Sequence, residues 1–362
     1  MTTPEPRPGV MDVAPYVGGS HEVAGADRVI VLSANENPLG PSEHAKEAYR
    51  AAAGTLHRYP EGGAEDLRQA IGERFGLDPG RIVCGAGSDE LISLLIKAYA
   101  GPGDEVLQSQ YGFLMYAISA KTAGATPVMA PETNLTANVD ALLDHVTDRT
   151  RLLFLANPNN PTGTYLPASE LRRLRENLRE DVILVVDAAY AEYVEAADYG
   201  AGADLATECD NVVMLRTFSK IFGLAALRLG WAYGPPAIID VLNRVRGPFN
   251  TTAPAQAAGI AAVGDEDHMR ASRAHNSQWM AWLTQQIGGL GPEVPPSAGN
   301  FILVRFADKA KADAAYQFLW SRGIIARLMG GYGLPESIRV TVGLEDENRA
   351  LVEALAEHLE AS

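Results

Sequence analysis

From about residue 64, short runs of apolar and β-branched residues alternate with longer segments whose apolar residues recur at helical spacing. The runs are RIVCGAG, EVLQSQ, TPVMA, RLLFLANP, DVILVVDAAY and NVVMLRT. Several are apolar almost throughout, which is typical of strands buried on both faces of a parallel or mixed sheet. Segments such as SDELISLLIKAYAG and SELRRLRENLRED begin with polar residues and have the apolar spacing of crossover helices. The pattern therefore predicts an α/β domain.

The pattern changes after GPFNTTAPAQAAG. A long helical stretch, DEDHMRASRAHNSQWMAWLTQQIGGL, is followed by strand-like and helix-like segments that form a smaller α+β unit: FILVRF, KADAAYQFLWSRG, IIARL, IRVTVG and NRALVEALAEHLE. We predict that residues 1–50 form an N-terminal arm and part of a small domain, and that residues 51–265 form a large domain. Residues 266–362 are predicted to form a linking helix and the small C-terminal domain.

Composition narrows the classes of protein to consider. The chain has 362 residues, a length that suits one large domain and one smaller one. Of these residues 21% are charged and 47% hydrophobic, which is typical of globular proteins. Its net charge of −15 and its lack of a Lys/Arg run disfavour nucleic acid and anionic membrane surfaces as partners. Cys84 and Cys209 lack the spacing of a metal site or a disulfide framework. With no secretion signal or membrane span apparent, we expect a cytoplasmic protein.

The segment RTFSKIFGLAALRLG, residues 216 to 230, places a lysine beside an apolar run. Lys220 follows the hydroxyls of Thr217 and Ser219 and precedes an apolar run that ends at Arg228. Three interpretations are open: a solvated lysine on an amphipathic helix, a phosphate-binding lysine, and a desolvated amine that forms a Schiff base. Arg228 either lies two helical turns after Lys220 or ends a loop that enters a strand, and it is compatible with an anion site or a surface ion pair.

Further candidate residues follow predicted strands. In CGAGSDELI, Gly87 permits a tight turn and the amides of Ser88 and Asp89 open a helix as an anion site, although Ser88 is equally suited to be an ordinary N-cap. NPNNPTG follows the strand RLLFLA and contains Asn160, in a plain turn or at a ligand site. Asp187 ends DVILVVD, where it is either a helix N-cap or a carboxylate that meets a cation.

Together these motifs resemble those of the fold-type I pyridoxal-phosphate aminotransferases of class I/II, and among them the histidinol-phosphate aminotransferase branch. The motifs occur in the family's order over nearly the whole chain: SANENPLGPS, HRYPEGG, GAGSDELI, FLMY, NPNNPTG, DAAYAEY, TFSKIFGLAALRLG and SIRVTVG. The resemblance implies a large α/β, cofactor-binding domain with a mostly parallel mixed sheet, a smaller α+β domain, and pyridoxal 5′-phosphate as the cofactor.

The resemblance also gives each motif a role. Lys220 would bind the cofactor as a Schiff base and move the substrate's Cα proton. Asp187 would pair with the pyridine nitrogen, while Tyr190 and Asn160 would hydrogen-bond the phenolic oxygen. An amine that forms an imine must lose its proton, and burial near another cation favours the neutral form.

The remaining cofactor contacts are carried over from the family in the same way. Four residues would bind the phosphate: Ser88 and Asp89 through their amides, Ser219 through its hydroxyl and Arg228 through its guanidinium. Phe113 of QYGFLMY, in preference to Tyr111, would stack on the ring. Tyr59 of HRYPEGG would reach the phosphate in a neighbouring subunit, which implies a homodimer with shared active sites.

On the substrate side, Arg339 of SIRVTVG would bind a carboxylate or the phosphate of histidinol phosphate. Arg327, Tyr16 and Asn35 complete the predicted substrate-binding set. The branch implies transamination between histidinol phosphate and 2-oxoglutarate, and the alternative is a broad aromatic amino-acid aminotransferase, because no motif separates the two. A decarboxylase and a cofactor-binding regulator are more distant alternatives, and the N-terminal segment lacks the DNA-binding domain that such regulators carry.

Overall fold

The computed structural model of the chain describes residues 4–7, 9–13 and 28–361. The helices of this part are α1 (Glu43–Ala52), α2 (Glu65–Phe75), α3 (Ser88–Tyr99), α4 (Leu114–Ala123), α5 (Val139–Asp144), α6 (Ala168–Asn177), α7 (Ala203–Glu208), α8 (Pro236–Val245), α9 (Ala253–Gly264), α10 (Glu266–Gly289), α11 (Lys309–Ser321) and α12 (Glu345–Glu360). The strands are β1 (Ile30–Val31), β2 (Ile82–Gly85), β3 (Glu105–Ser109), β4 (Thr126–Ala130), β5 (Glu132–Thr133), β6 (Thr136–Ala137), β7 (Thr150–Ala156), β8 (Ile183–Asp187), β9 (Val212–Thr217), β10 (Gly230–Tyr233), β11 (Phe301–Arg305), β12 (Ile324–Ile325), β13 (Arg327–Leu328) and β14 (Ser337–Thr341).

A seven-stranded sheet forms the centre of the molecule, in the order β2-β10-β9-β8-β7-β3-β4. Every pairing is parallel except those of β10, which runs antiparallel to β2 and β9. Each run predicted as a strand of the large domain lies in this sheet, and helices connect most of the parallel strands. The predicted α/β fold with a mostly parallel mixed sheet is therefore confirmed.

Both faces of the sheet are buried, which explains the nearly continuous apolar runs. Along β8, Leu184 and Val186 pack in one hydrophobic core, whereas Ile183 and Val185 pack in a second core on the other face. Side chains of a strand alternate between the two faces of a sheet. A sheet covered on both sides leaves its polar groups to the ends of the strands.

Several helices begin where the sequence supplies a side-chain oxygen for the first free amides. These N-caps are Ser42, Asn138, Thr252, Asp265 and Asp308, and each accepts a hydrogen bond from the backbone amide three residues ahead. Helix α3 differs, because its N-cap is Gly87 with φ +81° and no side chain. Ser88 is therefore the first residue of α3 and not its N-cap.

A second unit is built around the antiparallel sheet β11-β14-β13 and around α10, α11 and α12. The short strand β1 joins it by parallel pairing with β12, so that Ile30 lies opposite Ile324. Ile30 and Leu32 also pack in the core of this unit beside Trp279 and Ile302. The division of the chain at 50/51 and 265/266 stays a prediction.

A buried ion pair joins β9 to the segment after β8. Nη2 of Arg216 lies 2.6 Å from Oε1 of Glu192, and the two side chains are only 8% and 4% exposed. The Arg216 guanidinium also lies over the rings of Phe75 and Trp231, at 4.9 and 5.6 Å from their centroids. Since Arg216 directly precedes Thr217 and Glu192 follows Tyr190 by two residues, the pair fixes the two segments relative to each other.

We predict that Arg216→Met lowers the free energy of unfolding by about 3–5 kcal/mol, because it leaves the Glu192 carboxylate buried without a partner. The double variant Glu192→Gln/Arg216→Met should be the more stable of the two, since the buried charge is then absent. Urea unfolding of the protein without added ligands measures both. Arg172→Met, which removes an exposed pair with Glu208, is the control and should leave the midpoint almost unchanged. Equal midpoint shifts in Arg216→Met and Arg172→Met would contradict the prediction.

Candidate active site

A cavity opens at the carboxyl ends of the central strands. In the sheet, β4 lies beside β3 towards one edge, whereas β7, β8 and β9 follow in order from β3 towards the opposite edge. Ligands bind in open α/β sheets at such a reversal of strand order, and the cavity lies there. Its lining residues are Ser88, Asp89, Phe113, Ala156, Pro158, Asn160, Asp187, Ala189, Tyr190, Thr217, Ser219, Lys220 and Arg228. The structure thus brings together every predicted cofactor-binding residue except Tyr59.

Lys220 lies in the loop after β9, and its side chain reaches the cavity. Its Nζ donates a hydrogen bond to the backbone oxygen of Ala34 at 3.1 Å and lies 5.8 Å from the centroid of the Tyr190 ring. Burial, with the nearby guanidinium of Arg339, lowers the pKa of the Lys220 amine from 10.5 to about 8. The neutral, nucleophilic form of the amine is therefore far more populated near neutral pH than in an ordinary lysine.

Asp187 is the last residue of β8, where it is 5% exposed. Burial raises the pKa of its carboxyl to about 6, although a hydrogen bond from Tyr116 opposes that shift. The next helical segment begins at Ala191, with Tyr190 as its N-terminal cap position. The interpretation of Asp187 as a helix N-cap is therefore not what the structure shows, and its carboxylate belongs to the cavity.

The Tyr190 hydroxyl is held from the N-terminal segment. Asn35 donates its side-chain amide to the Tyr190 oxygen at 2.9 Å, and its backbone N–H donates to Thr341 Oγ1 at 2.9 Å. Asn35 is 1% exposed and has φ +55°, a conformation that Asn tolerates better than most residues. Asn35 was predicted to bind substrate, and the structure places it behind Tyr190, outside the cavity lining.

The turn from β2 into α3 forms an anion cradle. The first amides of α3, at Ser88 and Asp89, have no partners within the helix. The Arg228 guanidinium donates to Ser219 Oγ at 3.2 Å and to Asp89 Oδ2 at 3.0 Å. A Cβ on Gly87 would lie 2.6 Å from Arg228 Nη2, so glycine is what lets the guanidinium reach the helix terminus.

Arg228 itself ends a loop that enters a strand. It follows a short 3-10 helix, Ala225–Leu227, and precedes β10, with φ +48°. Its side chain is 48% exposed and pairs with Asp89. The arginine is therefore both an ion-pair partner and a lining residue of the cavity, and of the two local structures considered for this segment, the loop is the observed one.

Arg339, on β14, approaches the cavity from the smaller unit. Its guanidinium donates to Oδ1 of Asn160 and, at 2.7 Å, to the backbone oxygen of Ser33. Its charge also lies over the ring of Phe301, 5.5 Å from the centroid. These contacts hold a mostly buried cation beside Asn160, which follows β7.

The other predicted site residues lie further out. Arg327 on β13 lies directly opposite Arg339 on β14, so the two side chains are on the same face of that sheet. Tyr59 is 83% exposed and stacks on Phe249 with the ring centroids 4.6 Å apart. Tyr111 packs against a separate small cluster of Leu303, Met329 and Leu334, whereas Phe113 lines the cavity. Tyr16 lies outside the described residues.

One cavity-supporting residue, Tyr116, was absent from the sequence predictions. Its hydroxyl donates to Asp187 Oδ2 at 2.7 Å, and its ring is fully buried. The segment FLMY carried a usable signal, because Phe113 and Tyr116 are three residues apart and therefore lie on one side of a helix start. The sequence did not indicate that α4 and β8 lie next to each other in the fold.

Neither a cluster of potential metal ligands nor a membrane-spanning helix occurs in the described part of the chain. Its His, Cys, Asp and Glu residues form no group of three or more that could hold a metal ion. Within residues 4–7, 9–13 and 28–361, no helix is long and apolar enough to cross a membrane.

Comparisons with known proteins give the site its context. Residues 27–355 match the family model described as aminotransferase class I and II. A histidinol-phosphate aminotransferase of Paramagnetospirillum magneticum is 60% identical over 363 residues, which cover 100% of both chains. A histidinol-phosphate aminotransferase of Rhodospirillum rubrum is 58% identical over 97% of this chain and 96% of the relative.

Solved structures agree with this match. The histidinol-phosphate aminotransferase from Sinorhizobium meliloti, in complex with pyridoxal 5′-phosphate, superposes with a TM-score of 0.90 at 27% identity and covers 97% of each chain. The aspartate aminotransferase from Thermus thermophilus with maleate has a TM-score of 0.81 at 22% identity and covers 91% of each chain. The latter likeness shows the fold only.

We predict that Lys220 in the folded, cofactor-free protein reacts as an amine of pKa about 8. Competitive labelling with acetic anhydride from pH 6 to 11, read by peptide mass spectrometry, should give half-maximal reactivity of Lys220 at that pH. In urea the midpoint should rise to that of an ordinary lysine, about 10.4. Arg339→Gln should raise the midpoint in the folded protein, because it removes the cation that lowers the pKa. Identical midpoints in folded and unfolded protein would contradict this assignment.

Proposed function

Because this chain belongs to the aminotransferase class I and II family, we propose that it is a pyridoxal-phosphate-dependent enzyme that converts histidinol phosphate and 2-oxoglutarate to imidazole acetol phosphate and glutamate. The observation that carries this proposal is one cavity that holds a depressed-pKa amine, Lys220, and a buried carboxylate, Asp187, beside a helix N-terminus. The 60% identity to a histidinol-phosphate aminotransferase over the full chain supports the choice of substrate.

The residues of the cavity suit this cofactor. Oδ1 of Asp187 is buried and has no hydrogen-bond partner among the described residues, as expected of an acceptor for a ring N–H. The cradle of Ser88, Asp89, Ser219 and Arg228 suits a phosphate, and a side chain at Gly87 would obstruct it. When bound, the cofactor supplies an electron sink for the negative charge that develops at the substrate's Cα.

The protein's own groups then have separate tasks. Lys220 would hold the cofactor, and its amine would take the proton from the substrate's Cα. Asp187, as a carboxylate, would keep the ring nitrogen protonated, and the Tyr190 hydroxyl and the Asn160 side-chain amide would hydrogen-bond the phenolic oxygen. Phe113 would pack against the ring. The Arg228–Asp89 pair restrains the guanidinium so that it can meet the phosphate without reorganising.

Two adjacent arginines supply the substrate site. Arg327 and Arg339 lie directly opposite each other in the antiparallel pair β13–β14. Like charges at such positions repel, and an anion between them offsets that repulsion. The phosphate of histidinol phosphate and a carboxylate of 2-oxoglutarate are both anions of this kind. The pair therefore serves both halves of the reaction.

The proposed enzyme is a cytoplasmic homodimer. Tyr59 and Phe249 form an exposed aromatic stack, and Leu56 nearby in sequence is 66% exposed. A second copy of the chain that covers this patch would remove apolar surface from water and bring Tyr59 to a neighbouring site. Tyr59 would then bind the phosphate in the partner subunit.

The function is tested by a panel of amino donors. We expect histidinol phosphate to convert the cofactor-loaded protein to its aminated form at least ten times faster, in kcat/KM, than phenylalanine or tyrosine, because only the former places a phosphate at the arginine pair. Single-turnover changes in the visible absorbance of the bound cofactor measure each donor, with glutamate as the donor for the reverse half-reaction. Lys220→Ala, which lacks the amine, is the control and should give almost no turnover.

The panel also tests the alternative. If phenylalanine and tyrosine react as fast as histidinol phosphate, the protein is a broad aromatic amino-acid aminotransferase. If no donor changes the absorbance while cofactor binds normally, the aminotransferase assignment fails.

We predict that Arg339→Lys lowers kcat/KM for both histidinol phosphate and glutamate by about 2 to 4 kcal/mol of transition-state stabilisation. Lysine keeps the charge but loses the planar fork that binds an anion through two hydrogen bonds. Cofactor affinity should hardly change. Single-turnover rates for the two donors, measured side by side, decide the outcome. A loss for glutamate without a loss for histidinol phosphate would move the phosphate site to Arg327.

A further inference from the structure

Tyr116 contacts Asp187 from inside the protein. Its ring is fully buried, stacks on Phe154 with centroids 4.7 Å apart, and meets Phe113 edge-on at 5.8 Å. Its hydroxyl donates to Oδ2 of Asp187 at 2.7 Å. Tyr116 is not among the residues that line the cavity, so its influence on a ligand there passes through Asp187 or through Phe113.

The two oxygens of Asp187 have different surroundings. Oδ2 accepts the hydrogen bond from Tyr116, whereas Oδ1 is buried and has no partner among the described residues. A buried carboxylate oxygen without a donor is costly unless a ligand supplies one. A carboxylate held at one oxygen by a rigid donor cannot rotate freely, so the orientation of Oδ1 is set by Tyr116.

Resting on the proposed function, we propose that Tyr116 is a positioning residue: its hydroxyl orients the Asp187 carboxylate and keeps it ionised, so that Oδ1 binds the protonated ring nitrogen of the cofactor. Tyr116 thereby controls how strongly the cofactor ring is held and how well it withdraws electrons.

The electrostatics of the pair agree with this direction. Burial raises the pKa of Asp187, and the hydrogen bond from Tyr116 is the largest influence that lowers it. Burial and the neighbouring Asp187 raise the pKa of Tyr116 well above that of an ordinary tyrosine. The hydroxyl therefore keeps its proton and remains a donor. Without it, a larger fraction of Asp187 is the neutral acid at pH 7, which cannot form an ion pair with a ring N–H.

Other titratable groups also act on Asp187 from the elements packed around it. Asp89 of α3 raises its pKa, and Lys220, after β9, lowers it. Burial, and to a smaller degree the Asp187 charge, raises the pKa values of Tyr190 and Tyr199, both after β8. The backbone amide of Ala189 also lowers the pKa of Asp187. Tyr116→Phe leaves all of these groups in place.

The test is a double-mutant cycle on binding of pyridoxamine 5′-phosphate, which carries the same ring nitrogen but cannot form an imine with Lys220. Calorimetric affinities are measured for the parent, Tyr116→Phe, Asp187→Asn and the double variant at pH 7. Phenylalanine keeps the stacked ring and removes only the hydroxyl. We expect Tyr116→Phe to weaken binding about ten-fold in the parent background, as for loss of a charged hydrogen bond, and less than two-fold in Asp187→Asn, where no carboxylate remains to be positioned.

A matched control removes another buried tyrosine hydroxyl near the site. Tyr193 is buried, and burial raises its pKa, but the side chain that acts on its hydroxyl is Asn300 and not Asp187. Tyr193→Phe should leave the affinity for pyridoxamine 5′-phosphate within about two-fold of the parent, because Asp187 keeps its donor.

The pH dependence supplies a readout that packing does not move. Parent affinity should fall as pH drops through about 6, when Asp187 is protonated. In Tyr116→Phe this midpoint should move to higher pH, because the contact that lowers the pKa is lost. The ligand's phosphate titrates in the same range, so the comparison is between variants at each pH.

The outcomes separate this inference from the function beneath it. Equal losses from Tyr116→Phe in both backgrounds, or no loss in the parent, overturn the positioning role while the parent still binds the ligand. An unchanged midpoint in Tyr116→Phe also overturns it. Failure of the parent to bind pyridoxamine 5′-phosphate overturns the proposed function, and this inference with it.

Discussion

The central sheet is buried on both faces, and this constraint decides where the chemistry of the protein can be. Apolar side chains occupy the two cores on either side of β7, β8 and β9, so polar side chains concentrate where these strands end. Ala156, Asp187 and Leu215 are neighbours across the sheet, and the loops that follow them supply Asn160, Tyr190 and Lys220. Parallel pairing brings these loops to one edge.

The same burial acts on charge in two directions. It raises the pKa of Asp187 to about 6 and lowers the pKa of Lys220 to about 8, so an acid and a base that are normally far apart on the pH scale approach neutrality. Each retains a partner that favours the working state: Tyr116 keeps the carboxylate ionised, and Arg339 favours the neutral amine. Both groups can therefore change protonation state near neutral pH.

The sequence predicted the parts of this arrangement that local patterns encode. Apolar runs indicated β2, β3, β4, β7, β8 and β9, and the residues just after them lie together because parallel strands share an edge. The sequence did not decide whether a helix or a loop followed by strand β10 comes after Lys220, because GWAY is too short to show a helical or a strand period. The roles of Asn35 and Tyr116 depend on contacts with Tyr190 and Asp187 across 155 and 71 residues, respectively, and no local pattern records such distances.

Contacts between residues far apart in sequence also determine which parts of the fold can form first during translation. All seven strands of the central sheet have been synthesised once residue 233 is complete, whereas Arg339 meets Ser33 across 306 residues and Thr341 meets Asn35 across the same distance. On the ribosome, Ser33 and Asn35, the latter being the donor to the Tyr190 hydroxyl, must therefore wait for β14 before they reach their final contacts. A nascent chain that ends between residues 233 and 336 contains Lys220, Asp187 and the turn from β2 into α3 but lacks Arg339. The contacts of Arg339 and Thr341 with the N-terminal segment thus form only after β14 has been synthesised.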